Sequence, residues 1–362
     1  MSPTRTVKKH GVFVSFLGLK GPGLLFAKSI AEYLQSINEL SMLVTASKFS
    51  NFPNKDRFLN LRVPHNFKRL TDFILFPISF LKFISQLNRL RPKYLIVAMP
   101  SPTDILFTRV SKLFGVKIIR IIHDLRSHPG DIWPTEKAIA NRISDSDLVC
   151  FLSNRVHEDF LSRNQNKPSI VVMHPVLPLK NEVNSSEIKF SKPFLLIIGR
   201  MRTYKGVAEF LETWENRSTL LDHSLAIVGE GNLDASIHEK VIMRNDIHLE
   251  NYWVNDSMFH SYLKSAAIVV LPYLEATQSG IIPIAMALNK KIAVFNSGAL
   301  PEQISGYPNG LVIDHFGSEA SVMSALERLI MQNLVVVEGE TSNFTCEIGH
   351  FSQQLWSAIR KI

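Results

Sequence analysis

Cysteine is scarce in this chain, and apolar runs long enough to cross a membrane are lacking. The two cysteines, Cys150 and Cys346, lie far apart with no ligand-like spacing, which argues against a disulfide framework and against a zinc site. The apolar run 12–19 is short and interrupted by glycine, so no signal peptide is expected. The sequence contains no cluster of carboxylates that would indicate a metal site. These absences predict a cytoplasmic protein without a metal or other cofactor.

Positive charge is concentrated in the first half of the chain. With 362 residues, of which 46% are hydrophobic, two domains with separate cores are expected. Residues 1–178 hold 25 Lys and Arg against 12 Asp and Glu, whereas the remainder holds 15 against 20. A basic half predicts contact with a polyanion such as an anionic membrane surface, and a merely solvated surface is the alternative. Because no motif for reading bases is present, no nucleic-acid partner is predicted.

Segment 67–91 is unusually rich in phenylalanine and is flanked by cations. Residues 73–84 are apolar on nearly every side, but they are too few to span a hydrocarbon core, which needs about 20. Helices of this kind are either buried or pressed against lipid. Two interpretations therefore stay open, a helix lying on a membrane and a helix packed against a sheet by one face.

Two strand–loop–helix segments stand out in the second half. The first has an apolar strand, Phe194–Ile198, a polar loop and a helix from Val207. The second has a strand from Ile268, a polar loop over 275–279 and a helix opened by Gly280. Because parallel strands end at a common edge, the loops are expected to converge there, where loop cations and helix termini suit a diphosphate. The cations of the first loop are Arg200, Arg202 and Lys205. Solvated loop cations are the alternative.

Four short motifs of this half resemble the nucleotide-sugar half of retaining GT-B glycosyltransferases of family 4, also called group 1. They are Gly199-Arg200-x4-Lys205-Gly206, Val228-Gly229-Glu230-Gly231, Ala276-Thr277-Gln278-Ser279-Gly280 and Gly298-x3-Glu302. The Thr-Gln-Ser-Gly loop looks like that of a branch that acts in bacterial polysaccharide biosynthesis.

The resemblance implies an α/β fold of two Rossmann-like domains that face each other across a cleft. The expected first domain, on the acceptor side, covers 1–178 and is joined by 350–362, a helix that crosses back to it. The expected nucleotide-sugar domain covers 179–349. The boundary between residues 178 and 179 lies within the segment 174–186, whose prolines and small polar residues are typical of a linker.

The resemblance also assigns site residues. His123, which follows strand 117–122, is expected to face the donor sugar, while Arg200 and Lys205 neutralise the departing diphosphate. Donor contacts are expected from Gly199, Gly229, Glu230, Gly231, Tyr252, Trp253, Val254, Glu275, Thr277, Gln278, Ser279 and Gly280. Acceptor or cleft contacts are expected from Gly21, Gly23, Asp124, His128 and Asp131. For His123 the alternative is a histidine held by backbone hydrogen bonds in a tight loop, and for Trp253 it is an ordinary core residue.

The implied activity is that of a hexosyltransferase-type enzyme. It would transfer a sugar from a nucleoside-diphosphate sugar, with retention, to a membrane-associated acceptor such as a lipid-linked saccharide, in cell-surface polysaccharide synthesis. The nucleotide sugar is then the donor substrate and no cofactor is needed. The expected location is cytoplasmic, peripheral at the cytoplasmic face of the membrane.

One departure from the family pattern concerns two glutamates eight positions apart. Their places are taken by Ala276 and Ile284, with Glu275 one residue early. This departure keeps a second hypothesis open, in which the chain is a glycosyltransferase-like subunit that binds lipid or a partner and has weakened donor binding. A third hypothesis is a sugar-nucleotide epimerase of similar architecture.

Overall fold

The structure of the protein is a computed structural model. It describes residues 11–18, 23–46, 55–64, 70–127, 133–163, 166–177, 188, 190–233, 235–314, 319–336 and 346–362. The chain forms two compact units. Of the described residues, unit 1 comprises those up to Ser127, those from 133 to Met173 and Ile348–Ile362, and unit 2 comprises those from His174 to Glu347.

Strands and helices alternate along the described chain. The strands are β1 Val12–Phe16, β2 Ser41–Thr45, β3 Phe58–Asn60, β4 Tyr94–Val97, β5 Lys117–Ile122, β6 Leu148–Phe151, β7 Ser169–Val171, β8 Pro175–Val176, β9 Phe194–Ile198, β10 Ser224–Val228, β11 Ile247–Glu250, β12 Ile268–Leu271, β13 Lys291–Phe295, β14 Gly310–Ile313 and β15 Cys346–Glu347. The helices are α1 Gly23–Ser36, α2 Leu70–Leu90, α3 Asp104–Leu113, α4 Glu136–Ser144, α5 Asn154–Ser162, α6 Val207–Glu215, α7 Ala235–Ile242, α8 Asp256–Ser265, α9 Ile281–Ala287, α10 Leu300–Gln303, α11 Glu319–Met331 and α12 Ile348–Ile359.

Unit 1 is built on a parallel sheet of seven strands in the order β3-β2-β1-β4-β5-β6-β7. Strand β1 is an interior strand of this sheet, with Val12 opposite Ser41 of β2 and Tyr94 of β4. All five residues of β1 are buried, as expected for a parallel strand that is covered by helices on both faces. The change of direction in strand order at β1 and β4 is that of a doubly wound fold, in which sites lie beyond the carboxyl ends of the strands.

Helix α2, which covers most of segment 67–91, packs on the sheet with one face, as one of the two interpretations predicted. Phe83 and Leu87 are fully buried against the sheet, in a cluster with Phe107 of α3. The opposite face is apolar but exposed, with Ile74 at 65% and Leu81 at 64% of full exposure. None of the helices that the structure describes is long and apolar enough to cross a membrane.

Unit 2 is built on a parallel sheet of six strands in the order β11-β10-β9-β12-β13-β14. Successive side chains of a strand point to opposite faces, so β9 contributes to two cores. Leu195 and Ile197 pack with Trp214 of α6 on one face, whereas Leu196 and Ile198 pack with Ile282 of α9 on the other. This two-sided burial is what turns the apolar run at 194–198 into the central strand.

Helix α12 returns the chain to unit 1 after unit 2 is complete. Its residue Phe351 packs on Phe26 of α1 with ring centroids 5.1 Å apart, and Trp356 meets Tyr94 edge-on at 5.7 Å. The predicted α/β architecture of two Rossmann-like units with a final helix that rejoins the first is confirmed. The helix begins at Ile348, two residues before the predicted start of the segment 350–362.

Candidate functional site

The turn after β9 brings Gly199 to the carboxyl edge of the unit 2 sheet. Gly199 has φ +119°, in the region that favours glycine, and its amide donates to Val228 O at 2.9 Å. The side chain of Arg200 is exposed. A short 3-10 turn over Thr203–Lys205 follows, and Gly206 at φ 66° starts α6. The loop therefore carries its cations at the strand end, as the sequence predicted.

The glycines after β10 pack against this turn. An added Cβ on Gly229, which has φ +141°, would lie 2.0 Å from Gly199 O, and one on Gly231 would lie 2.1 Å from Met201 O. The Met201 amide donates to Glu230 O at 2.9 Å. The bare backbone of Gly229 and Gly231 thus serves the close approach of two turns to each other.

Lys205 joins the two loops that were expected to converge. Its Nζ donates to the hydroxyl of Tyr273, which follows β12, at 2.5 Å and lies 3.9 Å from the centre of that ring. The same Nζ is 4.0 Å from the Cβ position of Gly199, and Leu274 N donates to Tyr204 O at 2.8 Å. Among the described residues no carboxylate pairs with Lys205, so the positive charge of this half-buried ammonium is uncompensated. A cation in this state attracts an anionic ligand.

The loop between β12 and α9 forms hydrogen bonds with Ala299 and Gln303. Ala276 O accepts the amide of Ala299 at 3.1 Å, and an added Cβ on Gly298 would lie 1.5 Å from that oxygen. The Ser279 amide donates to Gln303 Oε1 at 2.7 Å. That amide is therefore already used and is not available to a diphosphate, although the sequence suggested it. Thr277 and Gln278 are half-buried, and Glu275 and Gly280 are exposed.

A histidine that the sequence assigned to the linker lies beside this loop. The ring of His174 comes within 3.5 Å of the position that a Cβ on Gly280 would occupy. Its Nδ1 donates to Pro175 O at 2.9 Å, which fixes the proton on that nitrogen. Because His174 lies about a hundred residues before Gly280, no sequence spacing links the two.

Exposed aromatic side chains follow β11. Tyr252 is 47% exposed and Trp253 is 52% exposed, so the interpretation of Trp253 as ordinary core is wrong. The Tyr252 hydroxyl donates to Glu250 Oε2 at 2.6 Å, and this hydrogen bond raises the pKa of Tyr252. Val254, in contrast, packs on the core. Two open ring faces at a strand end suit a stacked base.

His123 lies at the end of β5 in unit 1. Its Nε2 is 3.0 Å from Ala98 O, and since a carbonyl only accepts, Nε2 carries the proton. Burial lowers the pKa of His123, so the ring is neutral at pH 7. Asp124 beside it is half-buried. Both readings of His123, a held structural ring and a site group, are compatible with this bond.

A buried ion network lies under the loops near His123. Asp104 accepts from Arg120 Nη1 at 3.0 Å and from Arg142 Nε at 2.8 Å. Arg142 Nη2 also donates to Ser101 O at 2.9 Å, and its guanidinium lies 5.2 Å from the centre of the Trp133 ring. The network ties the loop after β4 to the loop after β5. The sequence gives no sign of this network, because its three charged residues are separated by 16 and 22 residues, with no periodic relation.

Of the other acceptor or cleft residues predicted in the first half of the chain, the structure describes only Gly23. Gly21, His128 and Asp131 lie outside the described residues. Gly23 is the first residue of α1, and an added Cβ there would overlap Phe16 and Met99 at 2.4 and 2.3 Å. A side chain at this position would therefore displace Phe16 or Met99. Among the described residues no group of three His, Cys, Asp or Glu side chains is placed to hold a metal ion.

Two parallel α/β sheets, with glycine turns and loop cations at the carboxyl edge of the second, are the features of the GT-B fold. Solved structures with this fold match nearly the whole chain. A sucrose-phosphate synthase from Thermosynechococcus elongatus has a TM-score of 0.72 at 13% identity, covering 97% of this chain and 98% of that one. The Anabaena protein HepE, in complex with UDP and glucose, has a TM-score of 0.70 at 10% identity, covering 98% and 100%.

A family match is confined to the sequence of unit 2. Residues 192–332 match the model of the family described as glycosyl transferases group 1. The predicted resemblance to GT-B glycosyltransferases is thereby confirmed for this part of the sequence and for the fold. The sequence matches none of the curated proteins. A putative UDP-N-acetylglucosamine 2-epimerase from Listeria monocytogenes also shares the fold, with a TM-score of 0.63 at 14% identity over 97% of this chain and 96% of that one.

Proposed function

We propose that the protein transfers a sugar from a nucleoside-diphosphate sugar to a membrane-associated acceptor, such as a lipid-linked saccharide. We also propose that the transfer retains the configuration at the anomeric carbon and serves cell-surface polysaccharide synthesis. Both of these points rest on the family resemblance. The observation that carries the proposal is the ammonium of Lys205, which no carboxylate among the described residues neutralises and which is held where the turns after β9 and β12 meet.

The chemistry requires charge neutralisation at this point. When the bond from the anomeric carbon to the diphosphate oxygen breaks, its electron pair leaves with the nucleoside diphosphate. Lys205 and the neighbouring Arg200 would stabilise that developing charge, an effect exerted mainly in the transition state. The exposed rings of Tyr252 and Trp253 would hold the base. His123 would face the donor sugar as a neutral imidazole.

A titration with nucleoside diphosphates tests the proposal. UDP, GDP and ADP are added separately to the wild type and to Arg200→Met with Lys205→Met, and the melting temperature is followed. One base class should stabilise the wild type, by about 2.7 kcal/mol at a hundredfold excess over Kd. The double substitution should abolish that shift. A wild type that responds to none of the three would refute the proposal.

The missing glutamates favour the second candidate, a subunit with weakened donor binding. Ala276 is only 5% exposed, and Ile284 packs partly buried on the core, so neither position offers a polar contact to ribose or sugar. Glu275 is exposed beside them. This candidate predicts no melting shift with any nucleoside diphosphate, whereas an epimerase would turn over the donor without an acceptor.

Helix α2 is the proposed site of membrane contact. Its exposed face presents Ile74, Ile78 and Leu81, and the exposed cations Lys82 and Arg89 lie on the same helix. Each apolar side chain that enters the interface contributes about 1.5 kcal/mol or more, and each cation near anionic lipid contributes about 1 kcal/mol.

Vesicle co-sedimentation with and without phosphatidylserine tests this contact. Ile74→Gln with Leu81→Gln should weaken binding to anionic vesicles at least about a hundredfold, and salt should weaken it for the wild type. Met243→Gln in unit 2, where the methionine is 86% exposed, is the matched control and should have no effect. Binding that ignores both the lipid charge and the α2 substitutions would exclude this surface.

A further inference from the structure

The ammonium of Lys205 is held by a neutral partner. The bond to the Tyr273 hydroxyl takes one of its three N–H groups, and the ring face, 3.9 Å from Nζ to its centre, adds an attraction that leaves the charge intact. A carboxylate in that position would neutralise the cation and compete with an anionic ligand. A tyrosine orients the ammonium and leaves two N–H groups for a ligand.

Tyr273 itself is fixed. It is 3% exposed, and Tyr204 packs edge-on against it with ring centroids 6.4 Å apart. The backbone bond from Leu274 N to Tyr204 O, 2.8 Å, locks the two loops together at this point. Lysine, by contrast, has four rotatable side-chain bonds and loses rotamer entropy when it is ordered. The rigid tyrosine therefore decides where the flexible lysine points.

We infer that Tyr273 is a positioning residue that aims the Lys205 ammonium at the diphosphate of the donor. This inference rests on the proposed function. Because the tyrosine orders Lys205 before the ligand arrives, binding of the diphosphate does not have to supply that ordering. The role belongs to the hydroxyl, which makes the hydrogen bond, so Tyr273→Phe removes it while keeping the ring.

The test is a double-mutant cycle on nucleoside-diphosphate affinity. UDP, GDP and ADP are titrated calorimetrically, and the tightest of them is used with the wild type, Tyr273→Phe, Lys205→Met and the double variant. Tyr273→Phe should weaken binding about 2- to 12-fold, the range expected when one long side chain must be ordered on binding. In the Lys205→Met background the same substitution should change the affinity less than about twofold, since coupled residues lose their effect together.

Tyr307→Phe is the matched control. Tyr307 is a buried tyrosine of the same unit whose hydroxyl donates to Lys290 O at 2.8 Å, so the same substitution there also removes a tyrosine hydroxyl that forms a hydrogen bond. Its affinity should equal that of the wild type. If Tyr273→Phe is silent, or costs as much without Lys205 as with it, the inference is overturned while the proposed function stands. If the wild type binds none of the three nucleotides, the proposed function fails first.

Discussion

Replacing Gly229 by alanine should loosen the edge of the unit 2 sheet where the candidate site lies. The φ of +141° at this residue lies in a region that is nearly exclusive to glycine, and the added Cβ would be 2.0 Å from Gly199 O and 2.7 Å from its carbonyl carbon. Both obstacles are backbone atoms, so no side-chain rotation relieves the overlap. Either β9 and β10 separate at their ends or the turn at Gly199 moves.

The cost has two parts. Forcing alanine into this backbone conformation costs about 1–3 kcal/mol, and displacing packed backbone adds about 1–3 kcal/mol. A total of about 4 kcal/mol corresponds to a fall in melting temperature of roughly 8–16 °C for a domain of this size. The Gly199 turn leads directly to Lys205, so the response to nucleoside diphosphate should decline as well.

Thermal and urea unfolding of Gly229→Ala, with and without nucleoside diphosphate, measure both effects. Gly115→Ala is the control, because Gly115 has φ +75° but no atom lies within 4 Å of its Cβ position. That variant carries the conformational cost alone, about 1 kcal/mol, and should keep the full ligand response. A Gly229→Ala protein as stable as Gly115→Ala would show that the close approach of the two turns does not constrain the fold.

Three further predictions concern other parts of the chain. Burial lowers the pKa of His123, so the unfolded chain binds its proton more readily and wild-type stability should fall as pH drops below about 6.5. His123→Gln should reduce this slope in urea unfolding by up to about 1.4 kcal/mol per pH unit. Burial opposes ionisation of Asp246, but hydrogen bonds from Arg244 and Arg217 prevail and hold the pKa of its carboxyl well below its usual range. Asp246→Asn should therefore cost about 2 kcal/mol at pH 7, and the difference from wild type should shrink below about pH 4. Gly349→Ala in α12, with nothing within 4 Å of its Cβ position, should raise stability by about 0.5–1 kcal/mol in thermal unfolding.

The sequence predicted the architecture because its signals are local. Runs such as Phe194–Ile198 and Ile268–Leu271 are apolar throughout, and this is how strands buried on both faces appear. Gly199, directly after the first run, marks its turn, so the sequence also predicted that Lys205 lies near the end of that strand. Helix α2 could be predicted only in part. Because apolar residues occur all around it, the sequence does not indicate which face packs on the sheet.

Partnerships between distant residues could not be predicted. Tyr273 is 68 residues from Lys205 and reads as the end of a strand. Asp104 reads as an ordinary first-turn acid of α3, and only the folded sheet brings Arg120 to it. A hydrogen bond such as that from the Ser279 amide to Gln303 likewise depends on where two loops meet, and periodicity carries no information on that.

The late position of α12 has a consequence for biosynthesis. The aromatic surface of α1 around Phe26 is covered by Phe351, which is made more than three hundred residues later. At a synthesis rate of 5–20 residues per second, that surface stays uncovered for roughly 15–65 s on the ribosome. Unit 2 is synthesised within this interval, so the first-made unit receives its last helix only after unit 2 has been made. We therefore expect chaperones to contact the uncovered surface of α1 during synthesis.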